Sequence, residues 1–301
     1  MPIKGLKVLP NPVFSELPQN YRLSEEQKSF YWENGYLVIK ELIDFTSLYS
    51  YKQRFLQICK GIVDSPVMIV KEQALFEKNL KPEEYINKLQ EILYDDVFMT
   101  YGEHPRLLDV ISQFIGDDIT AIHSMFINKP PGTARHPPHQ DLFYFPIRPV
   151  DKIIGSWTAV DHVNKDNGCL YVIPKSHKQD ILYPHGDVPE AGKLYHGILN
   201  EETLAREHAR VSLDMAPGDT VLLHPRLLHG SGPNRTQADA VYPHVCRTAP
   251  PEGDHGALRE QRVRVRGRAR LRAGAPRRRR AGRRHPPGTP SQLPGHLEIQ
   301  K

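Results

Sequence analysis

The stretch from 121 to 141 reads AIHSMFINKPPGTARHPPHQD and combines a β-rich run, a turn signal and a cluster of histidines. The apolar residues at 121–128 have the length and composition of a strand. The KPPG sequence at 129–132 is typical of a turn. Further short β-rich runs alternate with turn signals along the chain, at 152–163, 169–174, 210–215 and 219–224. Regularly spaced short strands of this kind favour a β-sandwich or barrel.

The first third of the chain predicts helices rather than strands. Ser24 and the EEQ sequence after it form the pattern of a capping box, and the helix is expected to end near Gly35. The run YLVI at 36–39 has strand length, and apolar residues spaced by three or four then indicate mostly helical structure over 41–115. Residues 1–23 contain four prolines and predict an extended lead-in.

The charge of the 301-residue chain, +5 in total, is unevenly distributed. Residues 238–301 contain fourteen arginines, one lysine and five acidic residues, a net charge of +10, whereas residues 1–237 carry −5. The basic stretch has too few large apolar residues to offset the entropy of ordering. A nucleic-acid-binding arm is the alternative, but residues 263–301 contain no Phe, Tyr or Trp to stack on bases. We predict a folded domain over 24–237 and an aberrant, disordered tail over 238–301, exposed to proteases from about Ala249.

Simple counts argue against three other classes of protein. No run of about 18 apolar residues is present, so no membrane span is expected. The first residues, MPIKGLKVLPNPVF, lack the apolar core of about 7–15 residues that a secretory signal requires. The three cysteines, Cys59, Cys169 and Cys246, lie far apart and are odd in number, which argues against a disulfide framework and favours a reducing compartment.

The densest group of candidate catalytic residues is RHPPHQD at 135–141. On a strand, His139 and Asp141 would point to the same side and could face one ion. A second histidine would complete the triad of two His and one carboxylate that binds non-haem Fe(II) and leaves three positions open. In a chain with 15 histidines, His-x-Asp alone is a weak signal. A loop histidine bonded to its neighbouring carboxylate is the simpler interpretation of the residues.

The residues alone leave the second histidine of such a triad open. His229 begins the sequence HGSG, whose glycines would let the backbone approach a ligand closely. His224 precedes Pro225, where a predicted strand ends, so a structural role is favoured for it. The full set of candidates is His162, His177, His196, His224 and His229.

Six short motifs recur, in the same order, in one known family. They are MFINKPPG at 125–132, HPPHQDLFYFP at 136–146, WTA at 157–159, NGCL at 167–170, GDTV at 218–221 and HPRLLHGSG at 224–232. Over about residues 20–237 the chain resembles the phytanoyl-CoA dioxygenase family of Fe(II)- and 2-oxoglutarate-dependent dioxygenases. The resemblance implies a double-stranded β-helix, or jelly roll, with the N-terminal helices packed outside it.

The resemblance also implies a set of site residues and cofactors. The residues that match the family's iron ligands are His139, Asp141 and His229. The residues that match its 2-oxoglutarate pocket are Lys88, Met125, Trp157 and Ser231. Gln140 lies between two ligands and is expected to orient the site. Gly168 matches a turn glycine beside the site. The implied cofactors are Fe(II), 2-oxoglutarate as co-substrate and O2, with ascorbate in a supporting role. A carboxylate at Asp141 favours hydroxylation, because related halogenases have a small residue there.

The activity implied by the resemblance is hydroxylation of the α-carbon of a branched-chain fatty acyl-CoA, in fatty acid α-oxidation. The alternatives are a dioxygenase acting on another small molecule or lipid, and a non-catalytic jelly-roll binding protein. The expected partner is the acyl-CoA substrate, with no nucleic acid, and the expected state is a monomer. The family implies a peroxisomal location, although no targeting signal is recognised; otherwise the cytoplasm is expected.

One position departs from the family pattern. The family has an arginine eleven residues after the histidine of HGSG, where its guanidinium holds the distal carboxylate of 2-oxoglutarate by two hydrogen bonds. This chain has Ala240 there, and the nearest alternatives are Arg235 and Arg247. We expect loss of the family's last strands to leave a sheet edge uncovered. We also expect the loss of the arginine to weaken 2-oxoglutarate binding on the order of a hundredfold.

Overall fold

The computed structural model describes residues 20–145, 147–188, 196–199, 201, 209–237, 240–248 and 263–266. The chain divides at Arg268, and all of the described residues belong to the first unit. The helices are α1 (Glu25–Asn34), α2 (Phe45–Cys59), α3 (Gln73–Phe76), α4 (Pro82–Tyr85), α5 (Asp96–Gly102), α6 (Pro105–Ile115) and α7 (Asp141–Tyr144). Short 3-10 turns lie at Ile92–Tyr94, Val150–Lys152 and Ser176–Gln179. No helix among the described residues has the length and apolar character needed to cross a bilayer.

Most of the described β-structure lies in two antiparallel sheets. The strands are β1 (Tyr36–Ile39), β2 (Met68–Lys71), β3 (Ile86–Gln90), β4 (Asp118–Lys129), β5 (His136–His139), β6 (Ile153–Thr158), β7 (Leu170–Val172), β8 (His185–Asp187), β9 (His196–Ile198), β10 (Val211–Ser212), β11 (Thr220–Leu223), β12 (His229–Ser231), β13 (Ala240–Thr248) and β14 (Val263–Arg266). The larger sheet has the order β1-β11-β6-β13-β4-β3-β2, and β14 also pairs with β4. The smaller sheet has the order β10-β7-β12-β5, and β8 pairs with β9.

The two sheets pack face to face through one apolar cluster. Ile127, Trp157 and Val221 of the larger sheet meet Leu170 and Val172 of the smaller sheet in this cluster. Burial of apolar area between two layers is the main favourable term in the folding of such a sandwich. The arrangement confirms the predicted jelly roll.

The helices cover the outer face of the larger sheet. Phe55 of α2 stacks on Phe126 of β4, with ring centroids 5.3 Å apart, and Phe98 of α5 packs on the same ring at 5.0 Å. Val245 of β13 lies in this second apolar cluster. Alternate residues of β4 therefore face the helices and the interior of the sandwich, as the period of two in a strand requires.

The predicted start of α1 is confirmed. The Ser24 hydroxyl accepts a hydrogen bond from the Gln27 backbone, and the Ser24 backbone donates to the Gln27 side chain, which completes a capping box. Gly35 ends the helix with a φ of 81°. A Cβ at Gly35 would lie 2.5 Å from the His177 ring, so both conformation and space require glycine.

The prediction of mostly helical structure over 41–115 is wrong for two segments. β2 and β3 add two strands to the larger sheet, and Lys88 of β3 pairs with Ile127 of β4. Residues 86–89 are buried on both faces of the strand. A short run that is buried on both sides lacks the alternation that marks a strand, so its periodicity resembles that of a buried helix.

β13 extends the larger sheet beyond Gln237, the predicted end of the domain. It pairs with β4 along its whole length and with β6 from His244 to Thr248. Pro243, which has no N–H to donate, comes just before the two-sided pairing begins. Pairing on both sides stabilises this strand, although its sequence has no pattern that predicts one. Of the rest of the predicted tail, the structure describes 263–266, and the remainder lies outside the described residues.

Truncation of Val245 tests whether β13 belongs to the stable fold. Its side chain is fully buried, so we expect Val245→Ala to lower the free energy of unfolding by about 2 kcal/mol through lost burial and a cavity. Val211→Ala is a matched control, because Val211 is 38% exposed. Chemical denaturation of both variants measures the difference, and equal midpoints would contradict the placement of β13.

Candidate metal centre

A cavity with a volume of about 420 Å³ lies between the two sheets. His139, Asp141 and His229 line it, and each of the three is buried. One ligand atom from each residue lies within 4.8 Å of the others. Among the described residues this is the group with the donor set and spacing of a metal site.

Strand pairing brings the two histidines of this group together. β5 and β12 are antiparallel neighbours, and their register sets His139 opposite His229. The ring centroids are 4.2 Å apart. β5 contains Pro137 and Pro138, and it lies at the edge of the smaller sheet, where a strand tolerates missing N–H groups.

Asp141 reaches the two histidines through a turn. β5 ends at His139, and Asp141 is the first residue of α7. Its Oδ1 atom lies 3.7 Å from His139 Nε2 and 3.6 Å from His229 Nε2. Asp141 therefore does not lie on a strand, contrary to the expectation from the sequence. A change of backbone direction after His139, rather than strand alternation, brings its side chain to the two histidines.

Hydrogen bonds orient both imidazoles toward the shared point. His139 Nδ1 lies 3.0 Å from the Pro137 carbonyl, and His229 Nδ1 lies 2.9 Å from the Leu227 carbonyl. A ring that donates through Nδ1 keeps the lone pair of Nε2 for a metal. Burial, with the neighbouring His229 ring, lowers the pKa of His139 to about 3. Burial acts to raise the pKa of Asp141, but the surrounding imidazoles outweigh it and hold that pKa below its ordinary value.

The other candidate histidines lie elsewhere. His177 contacts the Trp32 carbonyl, and His224 accepts a hydrogen bond from the Arg226 backbone, so both have structural partners. His162 is exposed and pairs with Asp214. His196 lines the outer part of the cavity, with its ring 3.1 Å from Asp187.

Four predicted pocket residues line the same cavity, namely Lys88, Met125, Trp157 and Ser231. Burial lowers the pKa of Lys88 to about 8. Gly168 lies next to the site in a turn with a φ of 89°, and a Cβ there would come within 2.7 Å of the Gly232 carbonyl. The turn therefore requires glycine for both its conformation and its space.

Gln140 does not line this cavity. Its amide nitrogen donates to the carbonyls of Ile181 and Arg226, and its amide oxygen accepts from the Tyr183 backbone. The buried side chain thus ties three backbone groups around the segment that joins His139 to Asp141. It is suited to fixing the direction of the chain between those two residues.

Within the described residues, no arginine lines the cavity. Ala240 is buried at the position of the family's arginine, opposite Lys129 of β4. Arg235 is exposed, and Arg247 is buried against Ser156 and the Tyr101 ring, on the helix side of the larger sheet. The ammonium group of Lys129 donates to Ser231 at 3.2 Å, and burial lowers its pKa to about 7.

Three histidines that sequence reasoning passed over also line the cavity. His136 stacks on His139 with ring centroids 4.1 Å apart, and His123 projects from β4. His136 belongs to the same HPPHQD motif, which could have indicated it. His244 projects from β13, whose sequence carries no recognisable motif, so no signal pointed to it.

Comparison with known proteins agrees with this geometry. The model of the family described as phytanoyl-CoA dioxygenase matches residues 31–240. The chain belongs to this family. Its members are Fe(II)- and 2-oxoglutarate-dependent dioxygenases, so the predicted enzyme class, Fe(II) and 2-oxoglutarate are confirmed at the level of the family.

Two curated relatives are similar over most of the chain. A probable phytanoyl-CoA dioxygenase of Caenorhabditis elegans is 41% identical over 229 residues, which cover 71% of this chain and 72% of that protein. The human peroxisomal phytanoyl-CoA dioxygenase is 41% identical over 228 residues, which cover 72% of this chain but only 66% of that protein. The crystal structure of EctD from S. alaskensis has the same fold, with a TM-score of 0.61, 21% identity and coverage of 80% of this chain and 82% of that one.

Substitution of Gln140 tests its positioning role. Gln140→Leu removes three hydrogen bonds that a buried side chain makes to the backbone, so we expect a loss of about 3 kcal/mol in the free energy of unfolding. Gln73→Leu, at an exposed glutamine, should stay within about 0.5 kcal/mol of the wild type. Thermal unfolding compares the two, and a Gln140→Leu protein as stable as the control would contradict the assignment.

Proposed function

We propose that this protein hydroxylates the α-carbon of a branched-chain fatty acyl-CoA in an Fe(II)- and 2-oxoglutarate-dependent reaction. The observation that carries the proposal is the buried group His139, Asp141 and His229 in a cavity that also presents Lys88 and Ser231. In the overall reaction one oxygen atom of O2 enters the substrate C–H bond. The other enters 2-oxoglutarate, which becomes succinate and CO2.

His139 and His229 would hold the iron through their Nε2 atoms, and Asp141 would hold it through Oδ1. Two neutral imidazoles and one carboxylate fit Fe(II) and leave positions open for a chelating co-substrate and dioxygen. When bound, the iron supplies the activation of dioxygen that is coupled to decarboxylation of 2-oxoglutarate. The protein contributes fixed ligands and a cavity between two sheets.

Lys88 and Ser231, which match the family's pocket, would bind a carboxylate of 2-oxoglutarate without the help of the family's arginine. Lys88 supplies a buried ammonium at the cavity wall, and Ser231 supplies a hydroxyl. An anion beside a buried amine favours the charged form of that amine. A lysine cannot give the two parallel hydrogen bonds of a guanidinium, so binding is weaker than in relatives that have the arginine.

The outer part of the cavity favours an apolar substrate. Met68, Tyr144 and Phe145 line it, and the side chains of Met68 and Tyr144 are partly exposed. A volume of about 420 Å³ suits the co-substrate and the reacting end of an acyl chain, so the bulk of coenzyme A would remain outside. The name of the human relative supports a phytanoyl-CoA-type substrate and a peroxisomal location.

The second candidate function is a non-catalytic binding protein of the same fold. Ala240 favours it, because the cavity lacks the guanidinium that would fix the co-substrate. A dioxygenase acting on another small molecule or lipid would share the iron site and differ only in the outer cavity.

The iron site is tested by replacing single histidines. We expect about one iron per chain in the anaerobically reconstituted protein and little retained iron in His139→Ala or His229→Ala, since each change removes one of three ligands. His224→Asn should keep the metal, because His224 lies outside the group. Metal analysis, with circular dichroism as a check of folding, gives the result. Unchanged iron in His229→Ala would contradict the assignment of His229 as a ligand.

Product analysis separates the candidate functions. We expect phytanoyl-CoA, with Fe(II) and 2-oxoglutarate, to give succinate and 2-hydroxyacyl-CoA in equal amounts, and Asp141→Ala to give neither. Mass spectrometry of both products is the measurement, with straight-chain acyl-CoA and free fatty acid as comparison substrates. Succinate formed only with another substrate would identify a different dioxygenase. Iron binding without any succinate would favour the binding protein.

A further inference from the structure

We infer that His244 is a positioning residue for Asp141. Its imidazole holds the carboxylate oxygen that faces away from the two histidines of the proposed iron site. The inference rests on that proposed site and adds a residue from β13 that no family motif indicates.

The two oxygens of Asp141 face different partners. Oδ1 lies 3.7 Å and 3.6 Å from the Nε2 atoms of His139 and His229. Oδ2 lies 3.9 Å from Nε2 of His244. One oxygen is therefore directed to the metal position and the other to a third imidazole.

Both atoms of the Asp141–His244 pair are buried and, within the described residues, neither Oδ2 nor His244 Nε2 has a hydrogen-bond partner. A buried polar atom without a partner has lost its bonds to water and gained none in return, so such atoms are rare in native proteins. A movement of about 1 Å would bring the separation to that of a normal N–H···O bond, and the two atoms would satisfy each other.

His244 belongs outside the ligand group. The ligand atoms that fall within 4.8 Å of one another come from His139, Asp141 and His229, and His244 is not among them. Ligating carboxylates commonly receive hydrogen bonds from outer residues, which fix their orientation. Held in this way, Asp141 would offer a single oxygen to the iron and keep the neighbouring coordination positions open.

The larger sheet is built to bring these two side chains together. β13 sets His244 opposite Met125 on one side and Trp157 on the other, and all three line the cavity. On β6, a Cβ at Gly155 would lie 3.2 Å from Asp141 Oδ2 and 3.4 Å from His244 Nε2. The missing side chain at Gly155 leaves the space in which the two groups meet.

Cobalt(II) titration of the metal-free protein tests the inference without turnover. We expect His244→Ala to raise the cobalt Kd about 10–100-fold and to change the visible spectrum of the bound ion. His244→Gln should recover most of the affinity, because its amide N–H can still donate to Oδ2. Val245→Ala, on the opposite face of β13, controls for disturbance of the strand and should bind cobalt as the wild type does.

The outcomes separate this inference from the proposed iron site. Wild-type affinity and spectrum in His244→Ala would overturn the positioning role while leaving the iron site intact. Complete loss of cobalt in both His244→Ala and His244→Gln, as expected for His229→Ala, would make His244 a direct ligand and also overturn it. A wild-type protein that binds no cobalt would overturn both proposals.

Discussion

The antiparallel register between β5 and β12 is the constraint on which the site depends. It sets His139 opposite His229, although 89 residues separate them in the chain. A shift of one residue would turn one imidazole to the other face of the sheet, because side chains alternate along a strand. The neighbouring pairing of β12 with β7, which sets His229 opposite Val172, holds β12 in this register from its other side.

The residues of the site that lie in short sequence motifs could be predicted from the sequence. His139, Asp141 and His229 lie in short stretches whose histidine, carboxylate and glycine content is unusual, and the structure brings them together. The strand position of Lys88 could not be predicted, because a run buried on both faces carries no period. His244 could not be predicted for a different reason: its strand is specified by pairing with β4 and β6.

The case of β13 shows how far backbone pairing can act independently of side-chain identity. The family match ends at residue 240, yet the strand continues to Thr248 between two others. Ladder hydrogen bonds use main-chain groups that every residue except proline possesses. Because side chains alternate along a strand, Val241 and Val245 of β13 both face the helices. Small or apolar residues are required at these two positions, and the valines meet this requirement. The backbone of the sheet can therefore be completed by a sequence that departs from the family.

The residues of β13 that face the cavity determine which binding functions this chain keeps, although the sequence of β13 differs from that of the family. Ala240 gives up the family's cation for 2-oxoglutarate, and the ammonium of Lys129, the residue opposite Ala240 on β4, is already bonded to Ser231. His244 adds an imidazole beside Asp141 at a point where the family's motifs specify none. Under the proposed function, the strand would weaken the co-substrate end of the cavity and reinforce the metal end. Because the residues proposed to hold the metal come from β5, β12 and the turn into α7, the proposed metal site does not depend on the residue at 240.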